Sequence, residues 1–405
     1  MNNIYPSILL ISNSDYSGGA ARAATRIFDC LSEEYKSLEF LVSQKSSTNK
    51  QVIEIPLTKK LIKALYSRVD YLICRSLDPS NSGWKTGAYF GILRARALNK
   101  AEFDILNMHW IGHGMISLGE INKIKKPIVF TLHDEWMINS IAHFGETKNK
   151  IYSESRSLRS WLLNRSLKLK KEILSKKNVF VVTLNSDLRQ KIIDLNPQAK
   201  SRVFTIPNPI NTNNFRPLNK KITLIHPNLT PNRPFLLYLG GFEDKRKGWD
   251  LLCKALSDSS ANLDLVVVGE CTIRNLGLNS QINVFSVEKI IELDSLCEIY
   301  TAAHAVLIPS RDEGLSLVAT EALSCGTPII GFSIQGLKDI VINGKTGLLA
   351  NAFNVEDLKN SIESIALTNK EQFHKNCREF AVNNLSNIIV REKYKELFEK
   401  VFTDA

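Results

Sequence analysis

The stretch IPSRDEGLSLVATEALSCGTPII, residues Ile308–Ile330, decides the fold because it predicts a loop, a helix and a strand in direct succession. It continues the apolar run Ala305–Ile308, which is typical of a buried strand. The loop that follows is polar and leads to Ser316, which can cap a helix predicted over Leu317–Cys325. Gly326 ends that helix, and a second apolar run begins. This order predicts a βαβ unit of a parallel α/β sheet.

The start of this helix is chemically suited to anions and to sugar hydroxyls. Backbone N–H groups of the first turn have no partner within the helix and lie at the positive end of its dipole, which favours anions and hydroxyls. Glu313 in the loop and Glu321 on the helix, with seven residues between them, can accept hydrogen bonds from sugar or ribose hydroxyls. The spacing alone more often belongs to an ordinary turn with solvated glutamates, because short motifs have many false matches.

Composition indicates a globular protein of two or three domains. The chain has 405 residues, of which 44% are hydrophobic. It contains no apolar run of about 18 residues, so no transmembrane helix is predicted, and its first residues do not resemble a signal peptide. Seven cysteines without a C-x-x-C pair indicate reduced thiols. We therefore expect a cytoplasmic protein.

The net charge of +11 is concentrated in one region. Residues 148–202 contain 14 Lys and Arg against 4 Asp and Glu. Apolar residues alternate there with basic ones, as in Trp161 and Leu162 beside Arg159 and Arg165. Two interpretations stay open: a basic amphipathic helix on an anionic membrane surface, which would place the protein peripherally on the inner face of the plasma membrane, or a solvated helix packed on its own domain. No nucleic-acid fold motif accompanies the charge, so nucleic acid is not an expected partner.

Strand and helix patterns alternate along the first half, which predicts a doubly wound parallel sheet. Predicted strands are Ser7–Ser12, Leu38–Val42, Phe103–Met108, Ile128–Leu132, Val179–Thr183 and Val203–Ile206. Predicted helices begin near Gly19 and cover Leu57–Arg75 and Met115–Lys123. Gly18 and Gly19 form a strand-to-helix turn without the G-x-G-x-x-G fingerprint, which disfavours an oxidoreductase. His109 and His133 each follow a strand, where ligands gather in such sheets.

The second half repeats the pattern after a Pro- and Asn-rich connector, residues 206–217. Strands are predicted over Phe235–Leu239 and Leu263–Val268. Between them, Arg246 and Lys247 lie just before a helix start, where they can neutralise a diphosphate. As a charge run alone, such residues are more often solvated surface.

Taken together, the stretches 15–26, 105–136, 236–256 and 305–349 resemble the retaining glycosyltransferases of family 4, and Glu313 and Glu321 resemble their Glu-x7-Glu motif. The resemblance implies the α/β fold named GT-B, two Rossmann-like domains facing a central cleft. It implies an acceptor-side domain over 1–208, a helix at 388–405 that packs back on it, and a nucleotide-sugar domain over 209–387.

The resemblance also implies roles for individual residues. Lys247 and Arg246 would stabilise the departing diphosphate, Glu313 and His133 would position the sugar, and Glu321 would bind the ribose. Further donor-binding positions are Gly18, Gly19, Gly241, Gly314, Leu315 and Ser316, and an acceptor region contains His109, Asp134 and His143. The chain departs from the family pattern at three places: Gly241 replaces a frequent Arg, Leu315-Ser316 replaces a frequent Phe-Gly, and 139–144 lacks the usual glycines.

The implied reaction is hexosyl transfer from a UDP- or GDP-sugar to a glycan, with an α-glycosidic bond as product. The expected acceptor is a polyprenyl-linked oligosaccharide in O-antigen, capsule or exopolysaccharide synthesis. No cofactor is expected, since positive side chains can replace a metal and no Asp-x-Asp motif occurs. Two alternatives stay open: a sugar-nucleotide epimerase of the same fold, and a non-catalytic protein that binds sugar nucleotides.

Overall fold

The computed structural model describes residues 5–80, 83–145, 157–218, 226, 228–229, 233–269 and 277–404. The chain divides into two compact units. The first unit comprises Met1–Pro209 and Val390–Ala405, and the second comprises Ile210–Ile389. Each unit is a parallel β-sheet covered by helices, which is the α/β architecture that the alternating pattern predicts.

The first unit contains a seven-stranded parallel sheet in the order β3-β2-β1-β4-β5-β6-β7. Its strands are β1 (Ile8–Ser14), β2 (Leu38–Gln44), β3 (Val52–Glu54), β4 (Ile105–Met108), β5 (Ile128–Leu132), β6 (Val179–Thr183) and β7 (Val203–Thr205). Its helices before the second unit are α1 (Gly19–Ser32), α2 (Leu57–Leu77), α3 (Ala95–Lys100), α4 (Leu118–Ile121), α5 (Leu158–Ser175) and α6 (Ser186–Leu195).

Both faces of this sheet are buried, which explains why its central strands read as continuous apolar runs. The C-terminal helix α12 (Asn387–Thr403) covers part of one face. Its residues Val390, Leu397 and Phe398 belong to the same buried cluster as residues of β1 and β2. The Tyr394 hydroxyl lies 3.3 Å from the Thr131 hydroxyl on β5, so this helix is fixed to the sheet by a polar contact as well.

The second unit contains a six-stranded parallel sheet in the order β10-β9-β8-β11-β12-β13. Its strands are β8 (Phe235–Leu239), β9 (Leu263–Val268), β10 (Ile282–Val287), β11 (Ala305–Ile308), β12 (Ile329–Phe332) and β13 (Gly347–Ala350). Its helices are α7 (Trp249–Ser257), α8 (Leu293–Ala302), α9 (Leu317–Ser324), α10 (Val355–Leu367) and α11 (Glu371–Leu385). The opening stretch therefore forms β11, α9 and β12, and β8 pairs with β11 at the centre of the sheet.

The helix predicted over Met115–Lys123 is wrong for its first half, because only Leu118–Ile121 is helical. His113 and Gly114 just before it have φ angles of 53° and 77°, a left-handed conformation that a continuous helix does not allow. The apolar Met115 is buried in irregular backbone, and its carbonyl accepts hydrogen bonds from two N–H groups of the 92–93 segment. The short elements β3, α3 and β13 have no counterpart among the predictions.

Gly248, at the start of α7, controls how closely the loop after β8 approaches the loop after β11. Its φ is 70°, and a Cβ added there would lie 1.9 Å from the Pro309 carbonyl oxygen. Only glycine allows both this conformation and this approach of two backbones.

We expect Gly248→Ala to lower the melting temperature far more than the matched change Gly344→Ala. Gly344 also has a positive φ, 76°, but a Cβ there meets nothing within 4 Å. Its substitution therefore lowers stability only by about 1–2 kcal/mol, the cost of placing a residue with a Cβ in the left-handed conformation. Gly248→Ala adds a backbone clash. Thermal unfolding of both variants measures the difference, and equal melting temperatures would contradict the proposed contact.

Candidate functional site

The centre of the candidate donor site is an ion pair between Lys247 and Glu313. The Lys247 ammonium donates to Glu313 Oε1 over 2.7 Å, and the Ser310 hydroxyl donates to the same oxygen over 2.8 Å. Arg246 Nη1 lies 3.6 Å from Glu313 Oε2. The structure thus brings together the three charged residues that the sequence assigned to catalysis in this unit, and adds Ser310, which was not predicted.

These side chains meet because β8 and β11 are neighbouring parallel strands, whose following loops leave the same edge of the sheet. The two loops are also joined directly. The Arg311 N–H donates to the Arg246 carbonyl over 2.7 Å, and the Arg311 guanidinium binds both carboxylate oxygens of Asp250 at 2.7 Å each. Such a bidentate pair fixes orientation as well as distance.

The segment at Gln335 and Gly336 packs against the loop that carries Glu313. Gly336 has a φ of 78°, and a Cβ added there would lie 2.4 Å from the Glu313 carbonyl oxygen. The side-chain amide of Gln335 donates to the Asp312 carboxylate over 2.8 Å. In the sequence, Gln335 and Gly336 follow the second apolar run of the Ile308–Ile330 stretch, a position that does not by itself identify their partner.

Glu313 is 5% exposed, so its carboxylate would be unstable without compensating charges. Burial acts to raise its pKa, but the charges of Lys247 and Arg246, with the hydrogen bonds from Lys247 and Ser310, hold the pKa below its ordinary value. Glu313 is therefore a fixed negative charge next to two positive ones. The alternative of a solvated Glu313 is excluded by this burial.

The start of α9 has the geometry that the sequence predicts. The Ser316 hydroxyl accepts a hydrogen bond from the Ala319 N–H at 3.4 Å and caps the helix, and Leu315 is buried. Glu321, on the same helix, is 9% exposed and accepts a hydrogen bond from the Tyr300 hydroxyl over 2.9 Å. Gly314 precedes this turn without a side chain that could cover it.

The remaining glycines predicted for donor binding lie at two other loops. Gly241 is exposed after β8, in the second unit. Gly18 and Gly19 belong to the first unit, where Gly18 has a φ of 90° and precedes the first residue of α1. A Cβ at either Gly18 or Gly19 would meet nothing within 4 Å, so these positions leave room beside a helix N-terminus.

In the first unit, four predicted residues form two hydrogen-bonded pairs. His109 Nδ1 lies 3.0 Å from His133 Nε2, and His143 Nδ1 lies 2.7 Å from Asp134 Oδ2. Burial lowers the pKa of His133 to about 4 and lowers that of His109 well below its ordinary value, so both imidazoles are neutral near pH 7. Burial acts to raise the pKa of Asp134, but His143 and the neighbouring donors lower it overall.

These pairs line a small cavity of about 20 Å³ together with Trp110 and Trp136. His109 Nε2, His133 Nδ1 and His143 Nε2 are buried ring atoms without a hydrogen-bond partner among the described residues. A cavity of this size holds about one water or one hydroxyl, and a whole sugar ring does not fit. The predicted acceptor residues can therefore contact a single hydroxyl here.

Two buried residues that the sequence did not single out support this region: Lys170 contacts the segment carrying Asp134 and His143, and Asp70 contacts the neighbouring 86–89 segment. The Lys170 ammonium, on α5, donates to the carbonyl oxygens of Trp136, Asn139 and Ser140 at 2.6–3.0 Å, and burial lowers its pKa well below the ordinary value. From α2, Asp70 accepts hydrogen bonds from the backbone N–H groups of residues 87 and 89 and from the Thr86 hydroxyl. The sequence did not indicate these roles, because Lys170 lies within a run of basic residues and Asp70 within a leucine-rich helix.

Lys170 also corrects the interpretation of the basic region 148–202. As a fully buried residue it does not reach a lipid head group. Lys176 and Arg202 likewise donate to backbone carbonyls of their own unit. Residues 148–156 of the region lie outside the described residues.

Two further features concern the described residues of both units. No three His, Cys, Asp or Glu side chains converge there in a way that could hold a metal ion. No helix in this part of the chain is long and apolar enough to cross a membrane.

Sequence comparisons find similarity to glycosyltransferases. Residues 221–383 match the family model described as "Glycosyl transferases group 1". An uncharacterized glycosyltransferase of Methanocaldococcus jannaschii is 32% identical over 147 residues, which are 36% of this chain and 41% of that protein. A D-inositol 3-phosphate glycosyltransferase of Streptosporangium roseum is 25% identical over 293 residues, which are 68% and 64% of the two chains. The chain thus spans less than two thirds of the length of these relatives.

Solved structures match over nearly the full length. Sucrose-phosphate synthase from Thermosynechococcus elongatus has a TM-score of 0.66 at 19% identity, covering 98% of this chain and 99% of its own. Anabaena HepE in complex with UDP-glucose has a TM-score of 0.63 at 13% identity, covering 97% and 99%. By fold, the chain is similar to these GT-B structures, and part of its second unit matches a glycosyltransferase family model. The residues of the ion pair lie inside the matched range.

We expect the contribution of Glu313 to stability to depend on pH in a defined direction. Because its pKa is lowered by folding, the stabilisation from its charge is fully present above the ordinary pKa of 4.5 and is lost as the pH falls through the lowered value. Glu313→Gln removes the charge at every pH. Melting temperatures of wild type and Glu313→Gln should therefore differ most near pH 7 and converge on acidification; a difference that stays constant with pH would contradict this prediction.

Proposed function

We propose that the chain transfers a sugar from a nucleotide-sugar donor to a glycan acceptor with retention of anomeric configuration. The observation that carries this proposal is the ion pair between the buried Glu313 and Lys247, with Arg246 beside it, just before α9. It combines positive charge for a diphosphate with a carboxylate for sugar hydroxyls in one small space. HepE, of similar fold, is described in complex with UDP-glucose, which supports this class of donor.

Lys247 and Arg246 stabilise the leaving group in the proposed reaction. As the bond between the anomeric carbon and the diphosphate oxygen breaks, negative charge grows on the diphosphate. A lysine ammonium has three N–H donors, and the Glu313 carboxylate engages one of them, so Lys247 can bind Glu313 and a phosphate oxygen together. The charges are held in position before the reaction, which is what makes such stabilisation effective.

Glu313 positions the sugar in this scheme, because its charge is fixed and its Oε2 atom faces Arg246 rather than Lys247. Glu321 binds the ribose, and its hydrogen bond to Tyr300 fixes the direction of the carboxylate. The proposed role of His133 is a hydrogen bond to the sugar through its neutral imidazole. The acceptor oxygen forms the new glycosidic bond on the face that the diphosphate leaves, and its proton passes to the departing diphosphate oxygen. An α-linked donor therefore gives an α-glycoside.

Metal independence is part of the proposal. Two cationic side chains and the first turn of α9 supply the positive charge that a divalent ion supplies in other nucleotide-sugar enzymes. Activity is therefore expected to persist in the presence of a chelator such as EDTA. Loss of activity that added Mg²⁺ or Mn²⁺ restores would contradict this part.

The proposed acceptor is a polyprenyl-linked oligosaccharide of O-antigen, capsule or exopolysaccharide synthesis. In the first unit, the unpartnered ring nitrogens of His109 and His143 can accept a hydrogen bond from one acceptor hydroxyl. The cytoplasmic face of a membrane is the expected location. Contact of the exposed basic residues of 148–202 with anionic lipid stays a prediction, and residues such as Arg159 and Arg165 are the ones exposed for it.

We expect Lys247→Ala to lower the rate of transfer at least about 10²-fold, because it removes a charge that stabilises the leaving diphosphate. Glu313→Ala should cost a similar factor. The matched control is Lys245→Ala, two residues away, whose side chain is exposed and whose carbonyl contact to Arg311 survives the change. Initial rates of nucleoside diphosphate release measure all three, and near-normal turnover of Lys247→Ala would contradict the assignment.

A panel of UDP- and GDP-sugars, with and without a lipid-linked oligosaccharide, tests the function itself. The proposal predicts nucleoside diphosphate release that depends on acceptor, together with an α-linked product detectable by NMR. Release of free sugar without acceptor would indicate an epimerase. Binding of a nucleotide sugar without turnover under any condition would indicate a non-catalytic binding protein.

A further inference from the structure

Helix α2 of the first unit buries two charged residues and exposes several large apolar ones, which is unusual for a surface helix. Its buried residues are Lys63, Asp70, Cys74 and Leu77, so two of the four are charged. Its exposed side carries six large apolar residues that are 47–72% exposed: Leu57, Leu61, Ile62, Leu65, Tyr71 and Leu72. Single exposed leucines are normal, but six exposed large apolar residues on one helix indicate an interaction site.

Helical geometry places four of these residues in one stripe. Leu57, Leu61 and Leu65 follow each other at intervals of four, and Leu72 continues the same face with Arg68 between. We call this stripe, Leu57, Leu61, Leu65 and Leu72 with Arg68 and Arg75, the α2 face.

Polar contacts on the inner side of α2 fix the outward direction of its leucines. Asp70 accepts three hydrogen bonds from the 86–89 segment, at 2.7, 3.1 and 3.2 Å. The Lys63 carbonyl lies against Gly114, where a Cβ would approach it to 2.8 Å. Turning the leucines inward would remove a buried carboxylate from its donors, which is strongly unfavourable. The exposure of the apolar stripe is therefore a property of the fold.

The charges on α2 indicate which partner fits. Asp70 is the only acidic residue of the helix and is buried, whereas Lys59, Arg68 and Arg75 are exposed. Every exposed charged side chain of α2 is thus positive. Two copies of the α2 face would bring like charges together, which disfavours a homodimer. An anionic lipid surface satisfies both features, since leucines enter the boundary between head groups and acyl chains while Arg and Lys reach the phosphates.

A neighbouring helix extends this chemistry. Leu163 of α5 lies in one buried cluster with Cys74 and Leu77 at the end of α2. The first turn of α5 exposes Leu158 and Trp161, at 72% and 54%, and the guanidinium of Arg165 lies 5.2 Å from the Trp161 ring centre. Tryptophan and arginine are typical of protein surfaces at the membrane interface.

We propose that the α2 face docks the protein on an anionic membrane surface, with α2 lying in the plane of the interface. This places the main lipid contact outside the basic region 148–202. It does not rest on the proposed sugar transfer, because docking requires neither donor nor acceptor. Asp70 links α2 through Thr86 to the segment that also contacts the Asp134–His143 pair, so docking and the acceptor region share one local framework.

Co-sedimentation of the full chain with vesicles tests the proposal. Vesicles of phosphatidylcholine alone are compared with vesicles that also contain phosphatidylglycerol, each in low and in high salt. We expect binding to the anionic vesicles that weakens with salt but is not abolished, because part of it is apolar. Leu61→Ser/Leu65→Ser should lower the partition coefficient at least about tenfold, since two leucines leave the apolar phase.

Matched controls distinguish binding by the α2 face from a general effect of removing exposed apolar side chains. Ile291→Ser/Leu367→Ser removes two residues of the second unit that are 88% and 90% exposed, and should leave vesicle binding unchanged. Unchanged melting temperatures show that the α2 variant is folded. Arg68→Glu/Arg75→Glu should abolish the preference for anionic vesicles.

Three results would overturn the proposal. One is absence of vesicle binding by the wild-type chain. Another is that Arg159→Glu/Arg165→Glu abolishes vesicle binding while Leu61→Ser/Leu65→Ser leaves it unchanged. That result would locate the lipid contact in the 148–202 region alone. A third is a dimer in light scattering that Leu61→Ser/Leu65→Ser dissolves, since the α2 face would then bind a second copy. Failure of sugar transfer affects none of these readouts.

Discussion

The ion pair between Glu313 and Lys247 is the interaction on which the candidate donor site depends. A carboxylate that is 5% exposed is tolerated only with charged and hydrogen-bonding partners, and here Lys247, Arg246 and Ser310 supply them. The two residues are 66 positions apart in the chain, so the conformation of each loop depends on its contact with the other. The closeness of Gly248 to Pro309 and of Gly336 to Glu313 follows from the same requirement, because bulkier residues would separate the loops.

In the first unit, several buried polar groups are stabilised by means other than an ion pair. Its two paired histidines, His109 and His133, avoid the cost of a buried charge by being neutral, whereas Lys170 and Asp70 are satisfied by backbone groups. These backbone contacts fix the segment around His143. The Asp70 contacts also orient α2 with its leucines outward, and the N–H of Thr86, whose hydroxyl binds Asp70, donates to the Ile141 carbonyl near His143.

The elements that sequence patterns predicted well are those whose signal is local. β5, β6, β8 and β9 were predicted with the bounds that the structure has, because strands buried on both faces are continuous apolar runs. The N-cap Ser316 was also recognisable, since capping depends on neighbours along the chain. The first half of the helix predicted over Met115–Lys123 failed, because the left-handed conformation of His113 is a consequence of packing and is not encoded by residue type.

The sequence by itself determined the alternation of strands and helices, the Glu313–Glu321 spacing, and the placement of Arg246 and Lys247 before a helix. All of these follow from periodicity and from residues close in the chain. Only the tertiary structure decided that Glu313 is buried against Lys247, that Lys170 points into the unit, and that the leucines of α2 face outward. A lysine or leucine at a helical position can face either way, and the direction is set by partners that are distant in sequence.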